Sequence, residues 1–229
     1  MKEKTDKLII VGDSAFAHIA YEYFTYDSQY EVACFTVDRE YLKNDSLFGL
    51  PIVPFDELLD KYPPDKYKVY TAITYIKMNR VRKNFYLRLK AMGYKFATYI
   101  SSSAFVWRNV EVGENTFIFE NNVVQPFVKV GNNVVMWSGN HIGHHSVIRD
   151  HVFFSSHVVL SGFCDVQEYC FMGVNSTIAN NVVIKKDCLI GAGASILKDS
   201  EEAKTYGTKM TEPKQMSTLD FFKIEESER

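Results

Sequence analysis

The stretch from Val106 to Ile196 decides the fold. In blocks of six it reads VWRNVE VGENTF IFENNV VQPFVK VGNNVV MWSGNH IGHHSV IRDHVF FSSHVV LSGFCD VQEYCF MGVNST IANNVV IKKDCL IGAGAS I. Every block opens on an apolar residue, from Val106 and Val112 through Met136, Ile142 and Ile148 to Ile196, with no insertion or deletion. With 46% hydrophobic residues overall, sixteen in register have a chance of ~0.46 to the sixteenth power, a few in a million. An amphipathic helix would repeat at three and four residues, and a lone strand at two. A strict period of six is the repeat of a parallel β-helix, here of about five coils.

The other columns agree. Two residues before each large position the side chains are mostly small, as at Ala104, Thr116, Ser146, Cys164, Cys170, Ser176, Cys188 and Ala194. Small and large inward residues suit a narrow three-sided prism. Gly113, Gly131, Gly143, Gly173 and Gly191 follow the large residue, and Asn115, Asn121, Asn133, Asn175 and Asn181 come soon after. Gly and Asn tolerate the partly left-handed turns that tight corners need.

The 229 residues are enough for two modest domains, and the net charge of −2 gives no basic stretch for a nucleic acid. The opening MKEKTDKLIIVGDS holds only four apolar residues in a row, too few for a signal core or a membrane span, so a cytoplasmic protein is expected. Cys164, Cys170 and Cys188 fall in the small inward column, where a reduced thiol fills space. No metal site is expected from them.

Before the repeat, residues 7–12 (KLIIVG) predict a strand, and DSAFAHIAYEYF a helix. Tyr30–Val37 predicts a strand, Pro54–Lys61 a helix and Lys68–Ile73 a strand. Met78–Met92 predicts a basic helix and Tyr94–Ile100 a last strand. This alternation is that of a small parallel α/β sheet over residues 1–98. The β-helix follows over 99–200, and a tail over 201–229 carries Leu219-Asp220-Phe221-Phe222, read as a short helix capping the last coil. The turn Gly12-Asp13-Ser14-Ala15-Phe16-Ala17 keeps only the first glycine of G-x-G-x-x-G. It lies where such a sheet binds ligands, at a helix N-terminus. Asp38, ending the second strand, could meet a ribose or a uracil-like edge, or be a solvated carboxylate.

Five of six histidines lie in seventeen residues: His141, His144, His145, His151 and His157. The last three share one column of the repeat but fall on successive faces, so they cannot converge within one chain as a zinc site. His144 falls two residues past Ile142, at an outward corner, where an imidazole is available as a base.

IIVGDSAFA, SSSAFV, HIGHHSVI, FMGVNSTI and LIGAGASILKD together resemble the hexapeptide-repeat acyltransferases, a left-handed β-helix family. More closely, they are similar to the nucleotide-amino-sugar N-acetyltransferases and the related sialic-acid-cluster sugar acyltransferases. The resemblance implies a Rossmann-like domain joined to the β-helix, a homotrimer, and transfer from acetyl-CoA to a nucleotide-linked amino sugar for a surface glycan. It implies His144 as general base, with His145 where the family often has a glutamate. Asp150, Asp165 or Glu168 of a neighbouring subunit is then a candidate orienting partner. Coenzyme contacts fall at Phe153, where the family has a histidine for which His151 or His157 could substitute, and at the backbone of Gly173, Val174 and Ala192. Sugar-nucleotide contacts fall at Gly12, Asp13, Ser14, Asp38 and Arg39, with Thr74 beside them; Ala15 and Phe16 replace the family's Gly-His. A sugar O-acyltransferase, a γ-carbonic-anhydrase-like metal enzyme and a non-catalytic scaffold are the other readings.

Overall fold

The computed structural model describes residues 3–213 and 215–225. The chain begins β1 (Asp6–Val11), α1 (Ala15–Asp27), β2 (Tyr30–Val37), β3 (Ser46–Leu47), β4 (Leu50–Pro54), α2 (Leu58–Lys61), β5 (Tyr67–Thr71), α3 (Arg80–Ala91) and β6 (Lys95–Phe96). The sheet order is β3-β4-β2-β1-β5-β6, parallel except for β3. Both faces of β1 are buried, because its side chains alternate. Leu8 and Ile10 pack with Phe16 and Phe24 of α1, while Ile9 and Val11 pack with Phe85 and Leu89 of α3.

From Tyr99 the chain winds into a left-handed parallel β-helix of three sheets, with seven, six and five strands of two residues each. Strands eighteen residues apart pair in register, so His141 lies between Val123 and Val159. The second residue of each strand points inward, and from Ile118 to Ile196 this column is buried. Each such side chain contributes about 1.5–3 kcal/mol relative to exposure. The small column is buried too, and its three cysteines are free thiols. At every corner from Asn115 to Gly193, the third residue after the large one has a left-handed φ, such as 56° at Asn115, 60° at His145 and 57° at Phe163. Asn and Gly suit that position, yet this chain also puts histidine, phenylalanine and tyrosine there.

The α/β unit lies on the seven-stranded face. Outward residues at eighteen-residue spacing, Tyr99, Phe117, Phe153 and Phe171, form an aromatic ladder. Phe16, Tyr23, Phe24, Tyr70 and Tyr75 pack against it. A buried polar ladder locks one edge. The Thr71 N–H donates to Asn115 Oδ1 (2.9 Å), Asn115 Nδ2 to Asn133 Oδ1 (2.7 Å), and Asn133 Nδ2 to His151 Nδ1 (2.9 Å). The fully buried Arg82 donates from Nη2 to the Asn133 carbonyl (2.7 Å), and burial pulls its pKa down to about 10.

Several elements differ from the expectation. The single strand over Tyr94–Ile100 is two: β6 ends the α/β sheet, and Tyr99–Ile100 opens the coil. The helix from Pro54 begins as a 3₁₀ turn at Phe55–Glu57 and becomes α2, and an unexpected strand, β4, runs into it. The coil extends past both ends of the hexad run, through Thr205–Tyr206 paired with Leu189–Ile190. The tail helix, Thr218–Phe221, does form, but Leu219, Phe221 and Phe222 are exposed, so among the described residues they do not cap the last coil. Residues 214 and 226–229 of that tail lie outside the described residues.

Burial, against the opposing pull of Asp150, holds His151 down at about pH 4, from an ordinary 6.5. Between those values the unfolded chain takes up a proton that the folded chain refuses. Stability should therefore fall as pH drops from 6.5 to 4, by up to about 3 kcal/mol from this residue. Urea unfolding of His151→Asn, which still fits the left-handed corner, should show a shallower decline. An equal slope in both proteins would contradict it.

Candidate active site

The prism has three corners, and they are not equivalent. The α/β unit covers the seven-stranded face and grips both corners that bound it. The Tyr23 hydroxyl donates to Glu120 (2.7 Å) at one; Arg80 pairs with Asp187 (2.5 Å) and Lys90 with Glu114 (2.6 Å) at the other. His144 sits at the third corner, in the turn Gly143-His144-His145 between the six- and five-stranded faces. It therefore stands on the edge opposite the α/β unit.

The His144 side chain is exposed, and its backbone N–H donates to Gln125 Oε1 (2.9 Å). Its Nδ1 lies 3.1 Å from Nδ1 of His145. The His145 ring is stacked between Phe127 (4.6 Å, 25°) and Phe163 (4.8 Å, 17°), and His144 stands edge-on to Phe163 at 5.0 Å. Gly162 lies beneath His144: a Cβ there would be 2.9 Å from the imidazole Cε1. Phe127, His145 and Phe163 are eighteen residues apart, so three left-handed corner residues stack one above another. That spacing is the sequence signal for this cluster.

The remaining histidines disperse. His151 is buried in the polar ladder and stacks on Tyr169, so it is not open to a coenzyme. His157 is exposed at the corner between the seven- and six-stranded faces. Gly173, Val174 and Ala192 share that corner, one coil apart, where Gly193 N–H donates to the Val174 carbonyl (2.8 Å). Among the described residues, the Val174 and Ala192 N–H groups have no acceptor. Phe153 departs from the expectation: at 2% exposure it is wedged under the α/β unit against Tyr75 and Phe171, so its side chain is closed to a coenzyme. Asp165 is held by Arg149 (2.7 Å), and Asp150 accepts the Asn132 N–H (2.7 Å). Glu168 lies with them on the five-stranded side. None of the three touches His144 in its own chain.

A cleft of about 410 Å³ opens at the C-terminal ends of β1, β2 and β5. Gly12, Asp13, Ser14, Asp38 and Thr74 line it, as do Thr36, Tyr41, Ile73, Ile76, Lys77 and Phe85. Gly12 has φ +112°, and a Cβ there would meet the Ala72 carbonyl oxygen at 3.0 Å, which explains the glycine. Asp38 reaches the cleft, but both its oxygens are taken by Arg88 (2.8 and 3.0 Å), a partner fifty residues on. Arg39 is not in the cleft; it turns outward to Asp56 (2.8 Å) and Glu57 (2.6 Å). Lys77 was not foreseen. It opens a run of three left-handed residues, Lys77, Met78 and Asn79, with φ of 50°, 50° and 64°. Such a conformation costs about 1–2 kcal/mol per residue, and strain of this kind gathers at binding sites. Thr36 Oγ1, also on the cleft wall, is buried without a hydrogen-bond partner.

No protein-family model matches the chain. Solved structures do resemble it. The acetyltransferase domain of PglB from Neisseria gonorrhoeae is 22% identical with a TM-score of 0.79, covering 89% of this chain and 97% of that one. It has also been solved in complex with acetyl coenzyme A. A mutant of perosamine N-acetyltransferase from Caulobacter crescentus, in complex with CoA and GDP-perosamine, is 19% identical with a TM-score of 0.78 over 91% and 96%. WeeI from Acinetobacter baumannii is 21% identical with a TM-score of 0.74 over 88% and 96%. At these identities the likeness is one of fold, and it spans both halves of the molecule.

Gly162→Ala should push the His144 ring away from His145 at little cost to stability, about 0.5 kcal/mol, because the ring can swing into solvent. The ring signals of both histidines should move in NMR spectra. Unmoved signals would show that Gly162 does not seat the imidazole.

Proposed function

We propose that the protein transfers an acetyl group from acetyl-CoA to the amine of a nucleotide-linked amino sugar, in a homotrimer whose sites lie between neighbouring chains. One observation carries this reading. An exposed imidazole stands on the edge opposite the nucleotide-type cleft, yet at the same level along the prism. Tyr75, in the loop that rims the cleft, stacks on Phe153 at 5.0 Å, and Phe153 follows His144 in the same turn of the coil. With the α/β unit on one face and His144 on the far edge, this arrangement favours a neighbour's cleft over the chain's own as the one that meets the imidazole. The ligands in the similar structures, a coenzyme and a nucleotide-linked sugar, match the two kinds of surface.

The cleft suits a nucleoside diphosphate. The α1 N-terminus offers unpaired N–H groups and the positive end of its dipole to phosphate, and Lys77 adds a cation at the rim. Ile73, Val81 and Phe85 give a base an apolar wall. Along the other corner, the free N–H groups of Val174 and Ala192 can bind the amide carbonyls of an extended pantetheine arm.

In the reaction, His144 Nε2 takes the amine proton as the nitrogen attacks the thioester carbonyl, and passes it to the departing thiolate sulfur. No covalent enzyme intermediate is needed. N–H groups near His144 are engaged in its own chain: that of His144 by Gln125, of His145 by Pro126 and of Gly162 by Asn180. A donor for the tetrahedral oxyanion is then supplied by the neighbouring subunit, or by Gly162 if Asn180 swings aside. Holding both substrates in line supplies much of the rate.

Thiol release from acetyl-CoA with UDP-, dTDP- and GDP-linked amino sugars is the test. His144→Ala should lower kcat by about 10²–10⁴-fold, and Lys77→Ala should raise KM for the sugar nucleotide about tenfold, the worth of 1.4 kcal/mol. No thiol release with any amino sugar would contradict the proposal, and release with hydroxyl acceptors alone would move it to O-acylation.

A further inference from the structure

The residue beside the base is an imidazole, and among the described residues no carboxylate bonds to either ring. Yet the pair is built with care. His145 occupies a left-handed corner, as do Phe127 one coil before and Phe163 one coil after, so the three rings stack face to face at 4.6 and 4.8 Å. That stack fixes the plane of His145 and aims its Nδ1 at Nδ1 of His144, 3.1 Å away. Phe163 meets the His144 ring edge-on, and Gly162 leaves room beneath it.

We propose that His145, clamped between Phe127 and Phe163, is the positioning residue of this site. Through its Nδ1 it holds His144 in the tautomer that leaves Nε2 free to accept a proton. The geometry leaves little choice. Two neutral imidazoles joined through their Nδ1 atoms share one proton between those atoms, so one ring carries N–H at Nδ1 and the other at Nε2. For His144 to act as a base at Nε2, it must be the Nδ1–H ring, with His145 as acceptor. When the amine proton arrives at Nε2, the Nδ1–H···Nδ1 bond becomes charge-assisted and shortens. His145 thereby does with a lone pair what a carboxylate would do with a charge. Phe127 and Phe163 act one step further out, by keeping the acceptor ring in plane.

This inference builds on the acyl-transfer reading, and two substitutions separate its hydrogen-bonding part from its stacking part. Phe and Asn both occupy left-handed positions in this corner column, so neither should disturb the coil. His145→Phe keeps the triple stack and removes the acceptor; His145→Asn removes the ring and keeps an acceptor in Oδ1. The expected result is a kcat lower by about 10- to 100-fold in His145→Phe, with KM for either substrate within about twofold. His145→Asn should recover most of that loss. The readout independent of turnover is the ring-nitrogen spectrum of ¹⁵N-histidine-labelled protein at pH 8. His144 should be the Nδ1–H tautomer in the parent protein and the Nε2–H tautomer in His145→Phe. Full activity in His145→Phe with a damaged His145→Asn would overturn the proposal in favour of a purely structural stack. An Nε2–H His144 in the parent would overturn it directly. If the tautomers are as expected but no acyl acceptor is found, the dyad stands and the acyl-transfer reading fails.

Discussion

The docking of the α/β unit on one aromatic face of the coil is the constraint from which the rest follows. Tyr99, Phe117, Phe153 and Phe171 turn outward in register, and α1, β5 and Tyr75 in the loop after β5 supply the rings that cover them. Ring pairs of this kind add about 0.5–1.5 kcal/mol each beyond the area they bury. The Asn115–Asn133–His151 ladder, with Arg82 against it, fixes the second edge by directional bonds that tolerate little sliding. One face, and parts of the two corners that bound it, thus hold the molecule together. The third corner is left to solvent, and it is there that His144 stands.

The corners themselves illustrate how one backbone requirement serves different ends. Each needs a left-handed residue, and along the polar-ladder edge that residue is Asn115, Asn133 and His151, whose side chains bond across to β5 and to one another. Along the His144 edge it is Phe127, His145 and Phe163, which stack instead. A strained position is tolerated because packing with the coils before and after overdetermines it. The same tolerance recurs at Lys77, Met78 and Asn79, anchored by Tyr75 on the aromatic face.

Much of this was legible before any coordinates. The six-residue register names the inward column, and the outward placement of His144 follows from counting two past Ile142. The α/β alternation marks the unit that carries the cleft, and Gly12 marks its first turn. The long-range pairings were not legible. Nothing near Asp38 announces that Arg88 will take both its oxygens, and no breaker separates Phe96 from Tyr99, so one apparent strand hides a change of sheet. Phe153 resembled a site position because its neighbours in sequence do. Only its place in the eighteen-residue outward series, Tyr99-Phe117-Val135-Phe153-Phe171, assigns it to the interface. The same period, applied to the corner column, would have singled out Phe127 and Phe163.

The central claim is that cleft and base from different chains make one site, and mixed oligomers test it most directly. His144→Ala removes the base and leaves the cleft; Thr74→Trp fills the cleft and leaves the base. Each alone should be inactive. Co-assembled in equal amounts, they should regain about a quarter of the parent activity, because a random neighbour pair combines an intact base with an intact cleft that often. Mixed oligomers with no recovered transfer would contradict the account and put cleft and base in the same chain.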